Sequence, residues 1–266
     1  MQFMLPSMEL SKSQIDRLGG RLRKGDINET DLRLLDGYRR SFGDAYEDVV
    51  REVSEKLYLE PTGRPAKSTT SIIDKLQRES IRLSQMQDIA GCRLTVADIL
   101  TQDAVVAQLV GLFDKATVVD RREHPSHGYR AVHVIVDHSG KLIEVQVRTL
   151  LQHLWAELSE KLSDIVDKEI KYGGGSNEVA VSLATMSEGG TRLETLEREF
   201  QTLLVRSAKI RSEWESTVPS DEVSQRMSPV DRAIEDARKV IIDERQGVIE
   251  SIREVITRVT KEREPQ

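Results

Sequence analysis

Asp88 opens the phrase Asp88-Ile-Ala-Gly-Cys-Arg93, an acid at the mouth of an apolar run with an arginine at its end. Glu144 lies in Glu144-Val-Gln-Val-Arg-Thr149, which leads into His153-Leu-Trp-Ala-Glu157. Between them, His127-Gly-Tyr-Arg-Ala-Val-His133 offers an aromatic ring, a base and a histidine. Upstream, Gly63-Arg-Pro-Ala-Lys67 and Ser71-Ile-Ile-Asp-Lys75 add cations. These residue types suit transfer of a phosphoryl-type group. Mg2+ takes oxygen ligands, usually only one or two of them protein carboxylates. Cations must neutralise a polyphosphate, and a base must accept the attacking hydroxyl's proton. Nucleobases stack on tyrosine rings or arginine planes. Asp88, Glu144, Arg64, Lys67, Lys75, Arg93 and Tyr129 supply each part, although such an inventory can be drawn from many charged proteins.

The elements that must position these residues follow from periodicity. Leu34, Leu35, Tyr38, Phe42, Tyr46 and Val49 recur at helical spacing, which predicts one helix over 31–56. Two prolines and a glycine in Glu60-Pro-Thr-Gly-Arg-Pro65 end it. A second helix follows from Thr69, with Ile72, Ile73 and Leu76 on its buried side. The period then changes: 89–96 reads as strand, 99–113 as helix and 116–120 as strand. Residues 131–137 and 141–147 form a hairpin turned at His138-Ser-Gly140. In its second arm Ile143, Val145 and Val147 point one way and Leu142, Glu144, Gln146 and Arg148 the other. A face of that kind either holds something polar or faces water.

Helix resumes from Thr149 through Leu151, Leu154, Leu158 and Leu162, with Trp155 read as core packing. Tyr172-Gly-Gly-Gly-Ser176 reads as a linker to long helices over 178–215 and 229–261, parted by Thr217-Val-Pro-Ser220. Ile241, Val248, Ile249, Ile252, Val255, Ile256 and Val259 form an apolar stripe on the last helix. It is a coiled-coil seam, a dimer surface or an intramolecular packing face.

Composition narrows the classes. With 32% charged and 4% aromatic residues among 266, the chain favours long solvent-laced helices over an all-β core. A net charge of −6 argues against a nucleic-acid coat protein. The single cysteine, Cys92, excludes an internal disulfide framework and fits a reducing compartment. Residues 1–10 lack the pattern of a secretory leader, and no apolar run is long enough to span a bilayer. The chain reads as soluble and cytoplasmic.

Order makes the inventory specific. Lys67 with Ser71-Ile72 and Lys75, then Asp88–Arg93, Gly128–His133, Glu144–Thr149 and Trp155–Glu157 together resemble the synthetase domain of the RelA/SpoT alarmone family, over about residues 35–172. The resemblance implies an α+β fold, a small mixed sheet flanked by helices and related to nucleotidyltransferases, here with a long C-terminal helical extension. With the helical patterns on either side of it, the chain divides into an N-terminal helical segment over 1–30, a synthetase domain over 31–172 and a helical extension over 173–266. The resemblance implies transfer of pyrophosphate from ATP to the 3′-hydroxyl of GDP or GTP, with Mg2+ as cofactor and AMP released. Asp88 would bind the metal, and Glu144 would activate the hydroxyl and approach the metal too. In the guanosine-nucleotide site Tyr129 would stack on guanine, His133 would sit beside the transferring group, and Gln146 would line the same face as Glu144. Arg93 and Arg64 would sandwich adenine, and Lys67 and Lys75 would hold phosphates.

On the residues alone, His133 reads equally as a satisfied core histidine. Small members of the family commonly form homo-oligomers through C-terminal helices, which the resemblance extends to this chain. Arg64-Pro-Ala-Lys67 has two residues between its cations where the family usually has one, and Leu158-Ser-Glu160 replaces the usual Leu-Glu-His. No histidine is followed directly by aspartate, so nothing matches the family's hydrolase half. Two other functions share the phrases: a toxin-type relative acting on the 3′ end of tRNA, and a silent nucleotide sensor. Retained Asp88 and Glu144 argue against the sensor, and net acidity argues against tRNA.

Overall fold

A computed structural model describes residues 10–166, 170–172, 174 and 176–261. The chain forms two compact units that interleave in sequence. Among the described residues, one comprises 10–94, 105–119 and 132–147, and the other comprises 95–104, 120–131 and those from 148 to 261. The elements make an α+β fold with one five-stranded sheet and two long C-terminal helices.

In the first unit, α1 (Lys12–Lys24) starts at a capping box in which Ser11 and Gln14 satisfy each other's backbone N–H. Its Leu18 and Leu22 are fully buried, and Arg23 Nε donates to the Leu76 carbonyl at 2.7 Å. The single helix predicted over 31–56 is two, α2 (Glu29–Arg40) and α3 (Gly43–Leu57). Ser41 Oγ donates to the Tyr38 carbonyl at 2.7 Å in the intervening turn. Phe42 stays buried there, edge-on to Tyr38 with ring centroids 5.2 Å apart. The apolar spacing therefore runs through the break and hides it.

The Pro/Gly interruption holds β1 (Thr62–Arg64), a strand the pattern did not predict. It pairs antiparallel with β2 (Ala90–Val96), Gly63 facing Cys92 and Arg64 facing Gly91. Any Cβ at residue 63 would lie 2.5 Å from the Gly91 carbonyl oxygen. Ser68 caps α4 (Thr69–Arg78), whose Ile72 and Leu76 are fully buried. The chain continues through α5 (Ile99–Leu112) and β3 (Ala116–Asp120), close to the predicted spans. Then β4 (Val132–His138) and β5 (Lys141–Thr149) form the hairpin. Its two-residue turn has positive φ at Ser139 (52°) and Gly140 (74°), which matches the twist of paired strands. The sheet order is β1-β2-β5-β4-β3.

The second unit is helical. Thr149 and Gln152 form the capping box of α6 (Leu150–Ile165), and Ser176 caps α7 (Asn177–Glu215). Of the expected linker, residues 173 and 175 lie outside the described residues, as do 1–9. Helix α8 (Ser220–Lys261) begins nine residues before the predicted Pro229 and passes through it. Val223 and Met227 are buried, which anchors the turns ahead of the proline and offsets its lost backbone hydrogen bond. Ile249, Ile252 and Ile256 join Leu151, Leu154, Trp155 and Leu158 of α6 and Leu183 and Leu193 of α7 in one core. The apolar stripe is thus an intramolecular packing face. Among the described residues no helix is long and apolar enough to cross a membrane.

Candidate functional site

Two carboxylates in the first unit are each clamped by polar neighbours. Asp88 lies in the turn two residues ahead of β2. Lys67 Nζ lies 2.6 Å from its Oδ2 and Lys75 Nζ 2.9 Å from its Oδ1. Helix α4 presents Lys75 from its interior, while Lys67 is fixed through its main chain. The Lys67 N–H donates to the Ile89 carbonyl at 2.6 Å, and Arg39 Nε donates to the Lys67 carbonyl. Burial pushes the Asp88 carboxyl up, but the two lysines outweigh it and hold the group below the ordinary carboxylate range.

Glu144 lies on β5 opposite Ile135, and His133 lies opposite Gln146. His133 Nδ1 is 2.9 Å from Glu144 Oε1, and Gln146 Nε2 donates to Glu144 Oε2 at 2.6 Å. Burial pushes the Glu144 carboxyl up. The His133 contact and the Gln146 hydrogen bond overcome it, against opposition from the Asp88 charge, so the group sits low. The polar face of β5 therefore does not simply meet water, since Glu144 and Arg148 are both buried. Behind Glu144, Gly91 lets β2 approach closely: a Cβ there would stand 2.6 Å from the Glu144 carbonyl oxygen. Burial and the Glu144 charge push the neighbouring Cys92 thiol up to about 12.

Arg93 is half-buried on β2 opposite Thr62. The backbone of Arg64 faces Gly91, and its side chain lies outside the described residues. Lys67, Lys75 and Asp88 thus form one group and His133, Gln146 and Glu144 another, near enough for the two carboxylates to repel.

Tyr129 belongs to the second unit. It follows a tight turn in which His127 (φ 52°) and Gly128 (φ 86°) are left-handed and the Tyr129 N–H donates to the Ser126 carbonyl at 2.9 Å. Arg148 Nη2 donates to the Tyr129 hydroxyl at 2.9 Å, and its guanidinium stands 5.0 Å from the ring centroid. Sequence reasoning placed Arg148 on the polar face without giving it a part. Its signal was the period-2 alternation with Glu144 and Gln146 on one strand. Trp155 is core packing, as expected, with its Nε1–H on the Leu183 carbonyl at 2.9 Å.

Among the described residues no group of three or more His, Cys, Asp or Glu could hold a metal on its own. The donor chemistry nonetheless fits Mg2+, which binds through one or two carboxylates and completes its shell with substrate phosphates and water.

A small sheet with two neighbouring carboxylates on it and at its edge, one clamped by lysines and one by a histidine and a glutamine, defines an α+β protein with a buried cluster of paired charges. The family model described as the region found in RelA / SpoT proteins matches residues 63–163. GTP pyrophosphokinase YjbM of Bacillus subtilis is 35% identical over 149 residues, covering 50% of this chain and 67% of that protein. An uncharacterised protein of Mycobacterium tuberculosis is 30% identical over 181 residues, covering 66% of this chain. The chain spans 64% of the length of that mycobacterial relative. The crystal structure of small alarmone synthetase 1 from Bacillus subtilis aligns at 28% identity and a TM-score of 0.47, over 63% of this chain and 97% of that one. The same synthetase bound to its product pppGpp aligns at 26% identity and a TM-score of 0.48, over 66% of this chain and 98% of that one. The chain belongs to the RelA/SpoT family.

Proposed function

We propose that this protein moves the β,γ-pyrophosphate of ATP onto the 3′-hydroxyl of GDP or GTP and releases AMP. The observation that carries the reading is Glu144, a buried carboxylate kept ionised by His133 and Gln146 beside a second carboxylate, Asp88. Glu144 takes the proton as the 3′-oxygen attacks the β-phosphorus of ATP, and the bond from that phosphorus to the AMP oxygen breaks. Asp88 and Glu144 would hold Mg2+, which supplies charge neutralisation on the phosphates. Lys67 and Lys75, already gathered at Asp88, exchange that partner for phosphate oxygens. Arg93 and Arg64 flank adenine. Tyr129, its ring backed by Arg148, receives guanine, and Gln146 and His133 orient Glu144 towards the hydroxyl. GTP pyrophosphokinase activity in the Bacillus subtilis relative supports the same substrates here.

A reducing cytoplasm suits these nucleotides and the single buried Cys92. Homo-oligomers form through α7 and α8 in this reading. The core stripe is consumed within the chain, but Leu203, Val205, Val240 and Ile242 remain exposed on those helices.

The test is incubation of pure protein with Mg2+ and ATP labelled on its terminal phosphate, offering GDP, GTP or deacylated tRNA separately. Label on GDP or GTP with AMP released is the expected result. Label on tRNA alone, or no transfer despite ATP binding, would overturn it.

A further inference from the structure

We infer that α7, which lies beyond the family-matched segment, sets the conformation of the Tyr129 turn, and that Ser187 and Glu194 are positioning residues for the guanosine nucleotide. The inference rests on the synthetase reading, in which Tyr129 receives guanine. His127 and Gly128 are both left-handed, a tight turn in which only the non-glycine His127 carries a steric cost. Helix α7 is bonded to the chain on both sides of Tyr129. Ser187 Oγ donates to the Gly128 carbonyl at 2.7 Å. Arg130 Nη2 donates to Glu194 Oε2, with both side chains about nine-tenths buried.

Neither tie is loose. Glu194 Oε1 also accepts from Gln152 Nε2 at 2.7 Å, and Gln152 is itself bonded to Gln102 at 2.8 Å. Arg130 Nη1 donates to the Arg122 carbonyl at 2.9 Å, closing the far end of the loop. Trp155, fixed to the Leu183 carbonyl of α7, supports Gly128 so closely that a Cβ would meet its Cζ2 at 2.8 Å. Tyr129 thus sits between two residues fastened to one helix. The C-terminal extension works on the substrate site as well as on the helical core.

The test uses the full chain with S187A, the least disruptive change, and E194Q. We expect S187A to raise KM for GDP roughly three- to tenfold, the loss of one net hydrogen bond. E194Q strands the buried Arg130 and should raise it at least about tenfold. KM for ATP and kcat should stay near wild type, and both variants should melt cooperatively. An unchanged KM for GDP in S187A, or equal losses across all three parameters in both variants, would overturn the inference. GDP binding by calorimetry separates this failure from that of the synthetase reading. A wild type that binds GDP without transfer removes the function, and the comparison of Kd between wild type and S187A then decides the role of α7.

Discussion

His133 Nδ1 meets Glu144 Oε1 at 2.9 Å across a diagonal of the β4–β5 ladder, while the residue directly opposite His133, Gln146, holds the other oxygen of the same carboxylate. One face of a hairpin therefore delivers all three groups, and an antiparallel register alone determines that they meet. Burial disfavours the charge on Glu144, so the two contacts are what keep it ionised, as the proposed base must be.

Replacing Glu144 by Gln keeps the shape and removes the proposed base. Turnover should fall by about two to four orders of magnitude while GDP and ATP binding persists. Single-turnover kinetics beside calorimetry would check this, and unchanged turnover would show that the base lies elsewhere.

His133→Ala acts on the same carboxylate indirectly. The Glu144 group sits low chiefly because the His133 contact opposes burial. Without the histidine, burial moves it up, so the acid limb of the kcat/KM profile shifts to higher pH. The variant should lose more activity at pH 5 than at pH 8, whereas a parallel drop at both would give His133 another role.

Lys75→Met leaves Asp88 with one cation. A carboxyl whose folded value is lowered adds stability above its ordinary 3.8, and that stability is lost as pH falls through the folded value. Wild type should therefore exceed the variant by about 1–3 kcal/mol near pH 7, a part-buried pair being worth less than a fully buried one. The gap should close below pH 3.8. Urea midpoints across pH would measure it, and a pH-independent gap would point to packing instead.

The legible parts of this fold were those with local signals. The Ser-Gly turn sits where a two-residue hairpin needs positive φ, Thr149 with Gln152 marks a helix start, and the strand alternation puts Glu144 and Gln146 on one face. The α2–α3 break was hidden because Phe42 is buried in the turn, and α8 ran through Pro229 because Val223 and Met227 pack ahead of it. Both are tertiary effects with no local trace. The same holds for the site. Lys67, Lys75 and Asp88 could be grouped by their phrases, but the support of Tyr129 by Ser187 and Glu194 joins residues about sixty positions apart.

Gly91→Ala tests the close approach of β2 to β5. The added Cβ would fall 2.6 Å from the backbone oxygen of Glu144, which no side-chain rotation relieves. Strand β5 must shift, at a cost of about 1–3 kcal/mol for overpacking. Because Glu144 rides on the shifted strand, kcat should fall more than KM rises. A variant with lowered stability and untouched kcat would show that the site tolerates movement of β5.

Cys92 supplies an independent probe of the same strand. It is buried beside Glu144 on β2, and burial with that charge raises its thiol to about 12. At pH 8 only roughly one thiol in ten thousand is then ionised. A thiol-specific reagent should label native protein very slowly and denatured protein at once. Saturating ATP and GDP should slow native labelling further if opening of β2 is the route, because ligands that bind only the closed site suppress opening. Prompt labelling of the native chain would mean that β2 is far less protected than its packing against Gly63 and Glu144 implies.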